Sequence, residues 1–342
     1  MVSEAQILKA TKPGDIFTND FNIARSEYKA LVKKYHPDVC KSPKAKDIFQ
    51  KITEFYNDAL EEIANKTWSK TNLIKINKKS GKGVEITFLT TFNFELGVCY
   101  VCNNHIVYVF DSDKKKYRDN MVDILKTLKY RDREMEEEFS RYFPKIVDTY
   151  ETAEGKYCVV LTKTPDVFPL KSLHEFYKGK IPDRHVAWIM SRLSNISCFL
   201  KYNGIIHNGI SIENCYISPE HHAMMLYGGW WYAVKEKTNM IGTTKEIYDL
   251  MPVSAKSSKI ASYITDLESI KYIGRSLLGD SNCRTLAAKA TIPKSILEFL
   301  IKGSGDDAYK EFKDWDAALD KGYGIRKFIP LNVTKEQIYN LT

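Results

Sequence analysis

The chain has 342 residues, 44% of them hydrophobic, and a formal net charge of +8. That composition can bury a substantial core, and the length excludes a lone small module; the mild positive balance permits weak nucleic-acid association without indicating it. Seven cysteines, odd in number and scattered through apolar runs, argue for reduced thiols, while no apolar run nears membrane-spanning length and no signal-peptide core opens the chain, so a cytoplasmic protein is expected.

Residues 1–14 lead in with little periodicity, and Asp15-Ile16-Phe17 with Phe21 and Ile23 offers a first apolar group. From Ala24 to Tyr35, Tyr28, Leu31, Val32 and Tyr35 fall at i, i+3, i+4 and i+7, one face of an α-helix. Pro37 ends it, because proline disfavours helical geometry at His36 and donates no N–H. An imidazole and the carboxylate of Asp38 are thereby presented on a stiff turn. Ser42-Pro43 reads as the N-cap and first turn of a second helix, in which Ile48, Phe49, Ile52, Phe55, Tyr56, Ala59, Leu60 and Ile63 keep the helical period. On the first helix Arg25, Lys29 and Lys33 stand at i, i+4 and i+8, a basic stripe beside the apolar face, with Lys34 on another side. Such a stripe steers an acidic partner, and a carboxylate on a rigid turn can make a charge-assisted hydrogen bond to an arginine.

Two amphipathic helices joined by a loop bearing His36-Pro37-Asp38, in the words KKYHPD and AKDIFQKITEFYNDAL, resemble the J-domain of DnaJ-type co-chaperones over residues 15 to 64. The resemblance implies an antiparallel helical hairpin that engages a DnaK-type ATPase chaperone. His36 and Asp38 would then drive the stimulation, with Pro37 bracing the corner, while Arg25, Tyr28, Lys29, Lys33 and Lys34 dock.

The polar stretch Asn65 to Asn72 reads as a linker, with Trp68 able to dock on either neighbour and a boundary near Lys70. The period then changes to alternation. Val84, Ile86 and Phe88 follow the Ser80-Gly81-Lys82-Gly83 turn, Gly97 to Cys102 and His105 to Phe110 flank the tight Asn103-Asn104 hairpin, and Phe143 to Asp148 and Cys158 to Leu161 are further strands. Asn120 to Lys129 reads as a helix with Met121, Ile124, Leu125 and Leu128 inward, continued or interrupted by the charged run Arg131 to Glu138. From Ser172 the chain turns helical, with a long helix from His185 to Tyr202 stopped at Asn203-Gly204.

After that stop, the segment Ile205 to Ile217 is similar to the catalytic loop of the protein kinase fold, H-R-D-L-x-x-x-N followed by a hairpin and D-F-G, and Asp266 stands at the structural aspartate of a C-lobe helix. The order of elements from residue 73 to 330 fits as well. The departures fall on the chemistry. His207 keeps its place, but Asn208 and Gly209 replace the arginine and the base; Asn214 keeps the metal-binding asparagine, while Tyr227-Gly228-Gly229 stands for D-F-G. Tyr108 takes the place of the phosphate-binding lysine, Met121 that of its glutamate partner, and of the glycine-rich loop only Gly97 is kept. Phosphoryl transfer rests on these groups for positioning and charge neutralisation, and loss of a general base alone costs about 10² to 10⁴ in rate.

Weaker signals have simpler readings. Cys99-x-x-Cys102 is half a zinc site on a strand, where positions three apart face opposite ways, so buried structural thiols are expected. The glycines around Lys82 lack the phosphate-loop spacing. His221-His222 reads as a solvated turn, although it could touch a metal, and Trp230-Trp231 either plugs the would-be nucleotide cleft or is ordinary core.

The expected architecture is α+β and multidomain: a J-domain over 1–70, a kinase-like N-lobe over 71–165 that is small and β-rich, and a helical C-lobe over 166–342. The expected function is that of a co-chaperone whose degenerate kinase-like domain holds a client or target, with no catalytic residue, metal or cofactor. Two rivals are a divergent active kinase, and a decoy that diverts a host chaperone, as a virus or large bacteriophage would use.

Overall fold

The computed structural model describes residues 2–18, 20–65, 72–285, 292–325 and 327–339. The residues between 65 and 72, with Trp68 and the boundary placed near Lys70, lie outside them. The chain divides into two compact units, Met1–Lys75 with Glu85–Thr87, and Ile76–Val84 with Phe88–Thr342.

The N-terminal unit contains α1 (Glu4–Lys9), α2 (Phe21–Tyr35) and α3 (Ala45–Ala64). Helix α1 corrects the reading of residues 1–14 as aperiodic: six residues are too few to show a period, and the signal present was the Ser3/Gln6 capping box. The apolar faces of α2 and α3 meet as their spacing requires, with Leu31, Tyr35, Ile48, Ile52 and Ala59 buried in one cluster that also takes Ile7, Ile16 and Phe17. Tyr28 stacks on Tyr56 at 4.0 Å between centroids and His36 meets Phe49 at 5.3 Å, so position along α2 rises as position along α3 falls. The two helices are antiparallel. Phe21 and Ile23, expected to pack inward, are exposed, because Asp20 caps α2 and starts the helix one turn before the apolar face does. Ser42 does not cap α3, whose N-cap is Lys44; its hydroxyl donates instead to Glu4 at 2.8 Å, tying α1 to the loop.

Strands β1 (Leu73–Asn77) and β2 (Gly83–Thr87) form a two-stranded sheet. The second unit then opens with β3 (Thr90–Phe94), β4 (Gly97–Val101), β5 (His105–Phe110), β6 (Ile146–Glu151) and β7 (Tyr157–Thr162), an antiparallel sheet of order β3-β4-β5-β7-β6. Asn103-Asn104 makes the tight β4–β5 turn, with Cys102 donating its N–H to the His105 carbonyl at 2.8 Å. Between β5 and β6 run α4 (Lys115–Lys126), which buries Met121 and Ile124, and α5 (Arg133–Phe139). Asp132 caps α5, so the charged run is a separate helix.

A short strand β8 (Phe168–Pro169) leads into α6 (Leu170–Phe176) and α7 (Asp183–Tyr202), which ends at Gly204 in the left-handed conformation. Then come β9 (Ile205–Ile206), the hairpin β10 (Cys215–Ser218) and β11 (Ala223–Leu226), and β12 (Val234–Lys235), which pairs with β9. Helices α8 (Lys245–Leu250), α9 (Val253–Ser258), α10 (Tyr263–Leu277), α11 (Lys294–Ile301), α12 (Ala308–Tyr323) and α13 (Lys335–Tyr339) complete the chain. A β-rich lobe followed by a helical part is the arrangement that the resemblance to a kinase fold implies.

Candidate functional sites

The corner at the end of α2 is built by backbone as much as by side chain. His36 leaves helical geometry at φ −59° and ψ 134°, as a residue before proline does. Its carbonyl accepts from the N–H groups of Val39 at 2.9 Å and Cys40 at 2.8 Å, closing the turn over Pro37. The imidazole Nδ1 accepts from the Asp38 N–H at 3.2 Å and lies 3.6 Å from the Asp38 carboxylate. One ring edge is thus tied to the turn and the ring makes a T-shaped contact with Phe49, while the side chains of His36 and Asp38 remain 43% and 87% exposed. Arg25, Lys29, Lys33 and Lys34 are all exposed. None of the four forms an ion pair among the described residues, so their field is not cancelled locally. Tyr28, grouped with the docking residues, is half-buried against Tyr56 and serves the helix pair.

In the second unit the kinase-like positions converge and close on one another. Asp266 on α10 is buried and accepts from the N–H groups of His207 at 2.7 Å and Asn208 at 2.8 Å. Burial raises its pKa to about 7, opposed by those two hydrogen bonds. Asn208 takes φ +54°, a left-handed conformation that asparagine tolerates, and its amide donates to the Tyr232 carbonyl at 3.3 Å. His207 is wholly buried edge-on to Trp230, and desolvation pushes its pKa down to about 3, with the Gly228 backbone opposing the shift.

Gly209 explains itself sterically: a Cβ there would lie 2.8 Å from the Gly229 carbonyl oxygen. No side chain, and so no carboxylate base, fits without moving that backbone. Asn214 donates to the Gly209 carbonyl at 2.8 Å, and a Cβ on Gly228 would meet the Tyr108 hydroxyl at 2.8 Å. Tyr108, on β5, is fully buried with its hydroxyl 3.4 Å from that of Tyr216. Tyr227 is buried and donates to the Arg141 carbonyl at 3.4 Å. Gly97 sits where the β3–β4 turn brings its Cα against the backbone of Val109 and Phe110, which only glycine permits.

The two tryptophans have different parts. Trp230 is core, donating to the Leu226 carbonyl at 2.7 Å. Trp231 fills the space under the sheet, with ring centroids 4.8 Å from Phe94, 5.1 Å from Tyr108 and 5.6 Å from Phe110. A cavity of about 210 Å³ is lined by Thr90, Phe92, Lys171 and Glu213 among others, and a larger one of about 680 Å³ is lined by Lys163, Met225 and Tyr227 among others. Burial pushes the Glu95 carboxyl up, and the nearby Glu213 adds to the shift. Glu213 is paired with Lys171 at 3.6 Å.

The thiols of Cys99 and Cys102 are buried, and desolvation pushes both up, the second to about 11, so neither is poised as a zinc thiolate. The His221-His222 turn divides. Glu220 and His221 are exposed, with ligand atoms within 4.8 Å of each other and of Asp166, whereas His222 is buried, contrary to the reading of a solvated turn, because it is stacked on Trp188. The sequence could not show that contact.

No family model and no curated protein matches this chain. Among solved structures it is similar to one titled "Structure of vaccinia related kinase 3", with 14% identity and a TM-score of 0.48 over 74% of this chain and 92% of that one. Among the described residues no helix is long and apolar enough to cross a membrane.

Proposed function

We propose that the N-terminal unit is a J-domain that docks on a DnaK-type chaperone and stimulates its ATP hydrolysis, and that the kinase-like part transfers no phosphoryl group and serves to hold a client or target in the cytoplasm. The observation that carries the reading is the water-exposed Asp38 carboxylate on a proline-braced turn between two antiparallel helices, flanked by four exposed cations. Steering and the specific contact are then separate: Arg25, Lys29, Lys33 and Lys34 attract an acidic surface, and Asp38 and His36 engage a basic group on the partner. The test is the steady-state ATPase rate of a DnaK-type chaperone with and without the full chain. Stimulation that disappears in His36→Gln and Asp38→Asn supports the reading, and a wild-type chain that never raises the rate ends it.

A divergent kinase is the rival, favoured by the retention of Asn214 and Asp266. Against it stand the closed Gly209–Gly229 contact and the aromatic fill around Trp231. Transfer of labelled phosphate from ATP with Mg²⁺ or Mn²⁺, to the chain itself or to a substrate, would decide for the rival.

A further inference from the structure

A cavity of about 140 Å³ opens between α7, the end of α12, Ile325, residues 327–329 and the β10–β11 turn. That is close to the ~150 Å³ known to accept a single benzene ring. Its aromatic walls are Trp188, Tyr323 and Phe328, and His222, Arg184 and Lys327 also line it. His222 is 8% exposed and held between two rings, Trp188 at 4.5 Å and 5° and Phe328 at 4.1 Å and 21°. Its backbone is fixed in the left-handed region at φ +45°, with its carbonyl accepting from Arg192 Nε at 3.0 Å. The ring is positioned, yet its Nε2 is buried with no hydrogen-bond partner among the described residues. A polar atom placed so firmly and left unsatisfied on a cavity wall asks for a ligand group.

The chemistry of that group follows from the surroundings. Burial, with His185 and Arg192 near and a hydrogen bond to the Ile329 backbone opposing, pushes the His222 pKa below its ordinary value, so the neutral ring pairs with a hydroxyl rather than a carboxylate. At the rim the Arg184 guanidinium lies 4.9 Å over Tyr323 and forms no ion pair among the described residues. Lys327 is exposed, and the Asp183 carboxylate is occupied by the Tyr323 hydroxyl at 2.7 Å. An anion is favoured there. We propose that this cavity binds a one-ring aromatic carboxylic acid bearing a ring hydroxyl: the ring lies among Trp188, Tyr323 and Phe328, the hydroxyl meets His222 Nε2, and the carboxylate faces Arg184 and Lys327.

The test uses the full chain with three probes, 4-hydroxybenzoate, benzoate and phenol, read by ligand-observed NMR and by quenching of tryptophan emission. We expect 4-hydroxybenzoate to bind about tenfold more tightly than either of the others, since a site built to pair a hydroxyl rejects its absence. His222→Phe, which keeps a flat ring in the stack, brings it down to the benzoate level, and Arg184→Gln brings it to the phenol level. Absence of saturable binding to the wild type, or equal affinity for all three probes, overturns the proposal. Should His222→Phe fail to fold, the wild-type ranking and Arg184→Gln decide.

Discussion

In the N-terminal unit a histidine, a proline and an aspartate stand at the end of a helix with polar groups in water, whereas in the second unit a histidine, an asparagine and a glycine occupy a loop from which water is shut out. The same kinds of side chain therefore have opposite prospects. At His36 and Asp38 the internal partners are few and local, so a second protein can compete for the polar groups at little cost to the fold. At His207, Asn208 and Asp266 the hydrogen bonds run between α10 and the loop after β9, and any partner would first have to break the core. Accessible polar groups with spare hydrogen-bonding capacity are where recognition is expected; buried and committed ones hold the structure.

The comparison is sharpest when one substitution is made in both places. Asp38→Asn is expected to remove chaperone stimulation altogether while leaving the unfolding midpoint within error of wild type, since the side chain is exposed. Asp266→Asn should do the reverse, because two backbone N–H groups need two acceptor oxygens and the amide supplies one. The orphaned donor costs about 1 to 3 kcal/mol, seen as a lowered urea midpoint, with stimulation by the folded fraction unchanged. If Asp38→Asn unfolds the chain, or Asp266→Asn leaves its stability intact, the contrast is broken.

Placing an acid at position 209 tests the closed site directly. Gly209→Asp forces a Cβ against the Gly229 carbonyl and buries a carboxylate, so a loss of about 2 kcal/mol or more is expected, with no phosphate transfer gained. Stable folding of that variant, or transfer of label from ATP, would show that the loop can open.

The helical hairpin was legible because it is local. A 3.6-residue period, a proline stop and the short connection over residues 36–44 are all close in sequence, and Leu31, Tyr35, Ile48 and Ile52 are buried as their spacing requires. The β-rich lobe followed by a helical part was legible from the change of period, though β3, with the sequence Thr90-Thr91-Phe92-Asn93-Phe94, was missed because its exposed face carries threonine and asparagine in place of charge. The closure of the kinase-like positions was only half legible. That Gly209 replaces an acid is in the sequence; that Gly229 leaves no room for one is a contact between residues twenty apart, set by how β10 and β11 return the chain. Trp231 was undecidable for the same reason, since an aromatic residue suits a plug and a core equally until the sheet above it is placed.

Burial also ties the stability of the second unit to pH through His207. In the unfolded chain a histidine takes up a proton below about 6.5, while folded His207 stays neutral down to about 3. The unfolded state therefore binds more protons as pH falls, and His207 withdraws stability by about 1.4 kcal/mol per unit below 6.5. Asp266, whose pKa is raised to about 7, has the opposite sign, withdrawing stability as pH rises from about 4 towards 7, so the wild-type profile between 4 and 6.5 is flattened. His207→Phe should expose the slope of Asp266 alone, its stability relative to wild type growing as pH is lowered. Urea titrations at pH 4.5, 5.5 and 6.5 measure this, and parallel profiles for the two proteins would show that His207 is not held neutral.

The smallest effect expected is at the basic stripe. Lys29→Gln and Lys33→Gln each remove one exposed charge from a face whose proposed role is attraction at a distance, so each should weaken association with a DnaK-type chaperone only about two- to fivefold. What distinguishes steering from contact is salt. At about 0.15 M the screening length is ~8 Å and at 1 M about 3 Å, so the deficit of both variants should vanish at high ionic strength, whereas that of Asp38→Asn should persist. Association rates measured across that range separate the two kinds of residue, and a salt-independent deficit at Lys29 or Lys33 would move those lysines from the approach to the bound interface.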